Sequence, residues 1–90
     1  MTEKEVLDFM NTIIEEENGV PITIDSKYSD ASIDSFGTVV FFLELDDKFG
    51  YFESDEEYRE FMNTADFSTL TIKELVQQCI LKSTITENQQ

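Results

Sequence analysis

Apolar residues in this chain come in four bursts of helical period, separated by polar or irregular stretches. In the first, Val6, Met10, Ile13 and Ile14 recur at helical spacing, with Leu7 and Phe9 widening the stripe. Thr2-Glu3-Lys4-Glu5 fits a capping box, which predicts a helix opening at Thr2, and Asn18-Gly19 supplies a left-handed stop. Between 20 and 33 the helical period is lost. Val20, Ile22 and Ile24 alternate as a short strand would, but no second strand-like run is present to pair with them. The stretch is expected to be a long extended loop that tucks these three side chains under the helices.

Asp34 is the expected cap of a second helix that runs to Phe49 and stops at Gly50. Ser54-Asp55-Glu56-Glu57 opens a shorter helix as another capping box, with Tyr58, Phe61 and Met62 facing inward. A linker carrying Phe67 and Leu70 leads to the last helix, where Ile72, Leu75, Val76, Cys79 and Ile80 follow the i, i+3, i+4, i+7, i+8 pattern. From Ser83 the composition turns polar, and 83–90 is expected to be a flexible tail to a single domain over 1–82. The fold class this predicts is all-α: a small four-helix bundle with three longer helices, a short third helix and a long first loop.

Composition fits this picture and narrows the chemistry. At 40% hydrophobic and 29% charged residues, a 90-residue chain can build one modest core and is not disordered. Twenty acids face six bases, a net charge of −14, which repels nucleic acid and anionic lipid and steers basic protein surfaces toward the domain. Histidine is absent, which excludes an imidazole-dependent triad or metal site within the chain. Cys79 is the single cysteine, so no internal disulfide forms, and its place on the apolar face of the last helix marks it as a core residue. Asp25 to Phe36 has the length of a calcium loop but places Asp30 where that loop needs glycine and Phe36 where it needs glutamate. No metal site is expected. No basic leader with an apolar run appears and no apolar run approaches membrane-spanning length, so a cytoplasmic monomer without membrane insertion is expected.

The candidate chemistry lies at the start of the second helix. A hydroxyl at Ser35, one residue after a capping Asp34, sits where unpaired backbone N–H groups and the positive end of the helix dipole meet. Such a site favours a phosphate by up to about 1–2 kcal/mol. With no histidine to serve as a base, Ser35 reads as an acceptor modified by another enzyme and not as a nucleophile of its own. Asp-Ser at a helix start is also simply an ordinary cap.

The residues that follow distinguish the two. Asp34-Ser35-Phe36-Gly37-Thr38-Val39, then Phe41-Phe42-Leu43-Glu44-Leu45 and Phe49-Gly50, resembles the attachment motif and second helix of acyl carrier proteins. Within that family the stretch is most similar to the D-alanyl carrier proteins of lipoteichoic acid modification, while Ala31 and Ser32 occupy the neighbourhood where those carriers have a glycine. The resemblance covers Asp34 to Gly50 and elsewhere is architectural only. It implies a covalent 4′-phosphopantetheine arm on Ser35, installed from coenzyme A by a phosphopantetheinyl transferase. It also implies an acyl or aminoacyl ligase that charges the arm, and an acyltransferase or synthase that collects the thioester. A fatty-acid or polyketide carrier is the alternative within the class. An acidic adaptor or nucleic-acid mimic, using its charge alone, is the alternative outside it. Nothing in the chain supplies the acid–base pair of an enzyme.

Helical geometry divides the second helix into two apolar stripes. Phe41, Phe42, Leu45 and Phe49 share the face expected to pack inward, and Phe36, Val40 and Leu43 form another that reaches from Ser35 toward Asp47. With Glu44, Asp46 and Asp47 as an acidic border, the second stripe is a candidate docking strip; Phe36, Val40, Leu43, Glu44 and Asp47 are its expected contacts. The inward rings, with Phe61 and Phe67 near them, fill the space in which carriers of long chains hide their cargo. Evicting such rings costs about 2–5 kcal/mol, which favours a small cargo left on the surface.

Overall fold

Helices form in each of the four periodic bursts: α1 (Glu3–Glu16), α2 (Ser35–Phe49), α3 (Asp55–Thr64) and α4 (Ile72–Asn88). The structure, a computed structural model, describes the backbone of residues 1–88 and the side chains of residues 1–83. Among the described residues there is no β-strand, only an isolated bridge between Lys27 and Thr71. The architecture is a small all-helical bundle.

Local chemistry sets the helix ends. At α1 the Glu5 amide donates to Thr2 Oγ1 at 3.2 Å and the Thr2 amide donates to Glu5 Oε1 at 3.0 Å, the reciprocal box its sequence predicts. The α1 stop divides its labour: Asn18 takes the left-handed turn at φ 62°, while Gly19 provides clearance. A Cβ on Gly19 would stand 2.7 Å from the Ala31 carbonyl oxygen and 2.8 Å from Ile14 Cγ2. Gly50 ends α2 in the left-handed region, with its amide on the Asp46 carbonyl at 2.8 Å. At α3, Ser54 Oγ accepts from the Glu57 amide, but the Glu57 carboxylate reaches back one residue farther than a capping box requires, to the Glu53 amide at 3.0 Å.

The core is built by α1, α2 and α4, which pack on one another pairwise. Val6, Met10 and Ile14 of α1 meet Phe41, Phe42 and Leu45 of α2 and Ile72, Leu75, Val76 and Cys79 of α4, all with essentially no solvent exposure. Cys79 is thus a core residue, and burial pushes its thiol up to about 12. The third helix differs: it buries no side chain fully and leans on the core through half-buried Tyr58, Phe61 and Met62. Phe42 is the hub between these parts, with ring centroids 5.0 Å from Phe61, 5.1 Å from Phe41, 5.5 Å from Tyr28 and 5.8 Å from Phe67.

The expectation for the first loop is corrected. The first loop is not extended throughout: a single 3₁₀ turn (Tyr28–Ala31) interrupts it, and Val20 is 53% exposed instead of tucked inward. Ile22 is buried and Ile24 half-buried, because Asn11 of α1 clasps the Ile22 backbone through both its amide and its carbonyl at 2.8 and 3.0 Å. The Tyr28 amide donates to the Leu70 carbonyl at 2.9 Å and the Ile72 amide to the Ser26 carbonyl at 2.9 Å, so the loop is stitched to the start of α4. α4 runs on to Asn88 through the polar stretch that begins at Ser83, which contains no glycine or proline to end a helix. Residues 89 and 90 of that stretch lie outside the described residues.

Candidate functional site

Asp34 stands in extended conformation before α2, and its Oδ1 accepts from the Gly37 amide at 2.7 Å. The Thr38 amide reaches the Asp34 carbonyl at 2.9 Å. Ser35 and Phe36 therefore hold the first two helical positions, where backbone amides have no intrahelical acceptor. Ser35 is exposed, its hydroxyl makes no hydrogen bond among the described residues, and no acid occupies the first turn after the cap. An anion on the Ser35 oxygen would meet helix-dipole charge, with the Asp34 and Glu17 carboxylates beside the same turn opposing it.

The loop before Ser35 is held closely. Ser32 takes the left-handed conformation at φ 55°, a geometry that glycine adopts without cost, in the neighbourhood where the resembled carriers have one. Ile33 then packs on Gly37: a Cβ there would approach Ile33 Cγ2 closer than real Cβ atoms come. Glycine in the first turn of α2 is thus a packing requirement.

Beside Ser35 a cavity of about 530 Å³ opens between the 3₁₀ turn, α2, α3 and the linker to α4. Its walls are mainly apolar, from Ile33, Val39, Met62 and Phe67, with Ser35 on its lining. At its base Tyr28 donates its hydroxyl to Thr38 Oγ1 at 2.8 Å. Burial raises the Tyr28 phenol above its ordinary value, the Thr38 bond opposing and the Asp34 charge adding to the rise. The base of the cavity is therefore a neutral, satisfied pair.

On α2 the inward stripe is closed, with Phe41, Phe42, Leu45 and Phe49 buried. The other stripe is partly open: Phe36 is 74% exposed and Leu43 48%. Val40 is half-buried against the core, and its neighbour Val39, which the stripe argument left out, is 38% exposed. The open face therefore includes Phe36, Val39 and Leu43, with Glu44 and Asp47 exposed beside them. Asp46 has a different task, as its Oδ1 accepts from the Phe52 amide at 2.8 Å and holds the chain leaving α2. An exposed apolar residue every third or fourth helical position would have identified Val39 alongside Val40; the sequence alone did not say which of the two points outward.

Among the described residues no helix is long and apolar enough to cross a membrane, and no group of three or more potential ligand side chains gathers to hold a metal ion. Set against family models, curated proteins and solved structures, the chain matches none of them.

Proposed function

We propose that this chain is a carrier protein that bears 4′-phosphopantetheine on Ser35 and shuttles a small acyl or aminoacyl group as a thioester between partner enzymes. One observation carries the reading: an exposed serine with an unengaged hydroxyl stands at the first position of a capped helix, inside the Asp34-to-Gly50 motif. In loading, the Ser35 oxygen forms a phosphodiester with the arm, the nucleotide part of coenzyme A leaves, and the hydroxyl proton passes to the transferase. The protein is then a substrate and a handle, not a catalyst. Asp34 holds the first turn in place, and the amides of that turn suit the phosphodiester charge.

The Phe36, Val39 and Leu43 face, with Val40 at its inner edge and Glu44 and Asp47 at its border, is the surface for the transferase, the charging ligase and the acceptor enzyme. Small cargo fits the same picture. The interior is occupied by rings, and the open space next to Ser35 is a surface cavity. The setting for such a carrier is the cytoplasm, where coenzyme A is at hand.

Coexpression with a broad-specificity phosphopantetheinyl transferase followed by intact mass measurement is the test. The expected result is one added arm, absent from Ser35→Ala. An unmodified chain, or an arm on another residue, would overturn the reading. The net charge of −14 favours one competitor, an acidic adaptor, which would remain unmodified and lose its partner steadily with added salt.

A further inference from the structure

The cavity beside Ser35 differs from the acidic surface around it in one respect. None of the nine residues that line it carries a charge, in a chain where 29% do. A second hollow along α3, of about 320 Å³ between Phe61 and the Tyr51-Phe52 link, shows the contrast, since Glu57 and Glu60 stand in its wall. At about 530 Å³, the cavity beside Ser35 has the ordinary size of a small-molecule site.

Its base is polar without being charged. The Tyr28 hydroxyl donates to Thr38 Oγ1 at 2.8 Å, and the two residues are only 3% and 8% exposed. Neither oxygen lacks a partner, yet the pair has hydrogen-bonding capacity left to offer. A hydroxyl is one donor and two acceptor sites, and this bond uses only the Tyr28 proton and one lone pair of Thr38. The Thr38 proton and the Tyr28 lone pairs have no other partner among the described residues. One donor and one acceptor therefore stand side by side beneath apolar walls.

Uncharged walls restrict the occupant. An ammonium would lose its water with no carboxylate in the lining to replace it. A carboxylate would find no cation there, and it would face the Asp34 charge, which after burial helps to raise the Tyr28 phenol. A plain hydrocarbon chain suits the walls but leaves the spare donor and acceptor facing carbon. An alkyl chain with a hydroxyl at its far end suits both, since that one group accepts from Thr38 and donates to Tyr28.

Ser35 is itself part of the lining, so a group tethered to its oxygen by a flexible arm can fold back into this space. We propose that the cavity selects the cargo: an uncharged short acyl group with a hydroxyl near its far end, its chain lying on Val39, Met62 and Phe67 and its hydroxyl on the pair of Tyr28 and Thr38. The inference rests on the carrier reading for the thioester link alone, and it separates neutral hydroxyacyl cargo from the aminoacyl groups which that reading also admits.

The test is NMR titration of Ser35→Ala protein, which carries no arm, with a matched set of amides of N-acetylethylenediamine. They differ only at the far end of one acyl chain: ω-hydroxypentanoyl, pentanoyl, ω-aminopentanoyl and glutaryl. Saturable one-to-one binding of the hydroxyl probe, with shifts confined to Val39, Met62, Phe67 and their neighbours, is expected. Pentanoyl should bind about threefold more weakly, and both charged probes about tenfold more weakly or worse. Tyr28→Phe should erase the advantage of the hydroxyl probe over pentanoyl, a ratio that a general loosening of the fold would not move. Thr38→Val, checked for helix content by circular dichroism, should do the same. Equal or tighter binding of pentanoyl or of a charged probe would overturn the proposal, as would shifts that do not saturate or an advantage that survives both substitutions. Because the probes are free molecules, such a failure leaves arm loading untouched, whereas an unmodified Ser35 in the mass measurement strikes the carrier reading and leaves the preference of the cavity standing.

Discussion

Phe42→Ala tests how the bundle is held together. The ring is fully buried and has aromatic neighbours from the 3₁₀ turn, α2, α3 and both links around α3, with centroids from 5.0 Å for Phe61 to 6.3 Å for Tyr51. Removing a buried phenyl ring costs about 3–5 kcal/mol in transfer and cavity energy. The neighbours here are themselves large rings fixed by separate backbone segments, so the hole cannot close, and the loss should fall in the upper part of that range. Each favourable ring pair lost adds about 0.5–1.5 kcal/mol, though not additively. A chain of 90 residues has a total stability of about 5–13 kcal/mol, so the variant should sit near the edge of folding. Urea unfolding followed by far-ultraviolet circular dichroism at neutral pH measures the change, with Phe36→Ala as a matched control. Phe36 is 74% exposed, and its truncation should stay within about 0.5 kcal/mol. A Phe42→Ala loss below about 1.5 kcal/mol, or an equal loss for Phe36→Ala, would refute the account of a ring-filled interior and with it the case for small cargo.

Gly37→Ala should lower stability by about 1 kcal/mol in thermal unfolding, although alanine is the better helix former, because the new Cβ collides with Ile33; a gain in stability would show that Ile33 yields freely. Stability should also fall with rising pH from about 9 to about 12. The buried Cys79 thiol keeps its proton to about 12, whereas the unfolded chain releases it near its ordinary value of 9.0, so the unfolded state binds fewer protons over this interval. Each such group contributes a slope of about 1.4 kcal/mol per pH unit, and Cys79→Ala should remove one such contribution from urea titrations across that range. Phe36→Ala and Leu43→Ala should slow arm loading by a phosphopantetheinyl transferase severalfold while leaving the unfolding midpoint unchanged; undiminished loading rates for both would remove this face from the docking surface.

The legible parts of the fold were those written in local chemistry. Thr2, Asp34 and Ser54 accept from the amides three residues ahead, and Gly50 takes the left-handed turn, so four boundaries followed from side-chain type alone. The 3₁₀ turn did not, because it is held by tertiary bonds: Tyr28 to Leu70, and the bridge of Lys27 with Thr71. Val39 and Val40 are adjacent and chemically alike, and only the packing of α2 decides which one reaches solvent. Asp46 looked like a member of an acidic border until its bond to the Phe52 amide showed a structural task. At the site itself, Asp34 and Ser35 were legible, whereas the cavity beside them required the distant Met62 and Phe67 to be brought together. The Tyr51-Phe52 pair was not singled out by the sequence pattern, since its packing depends on Phe61 arriving from the next helix.

The short third helix stands between the two hollows. Met62 lines one and Phe61 the other, consecutive side chains of the one element that anchors nothing wholly inside. Such an element can detach on its own while the remaining trio keeps its shape. Whatever settles on either side therefore leans on a common partition, and amide exchange along that partition should register an occupant of one chamber even when the probe is watching the other.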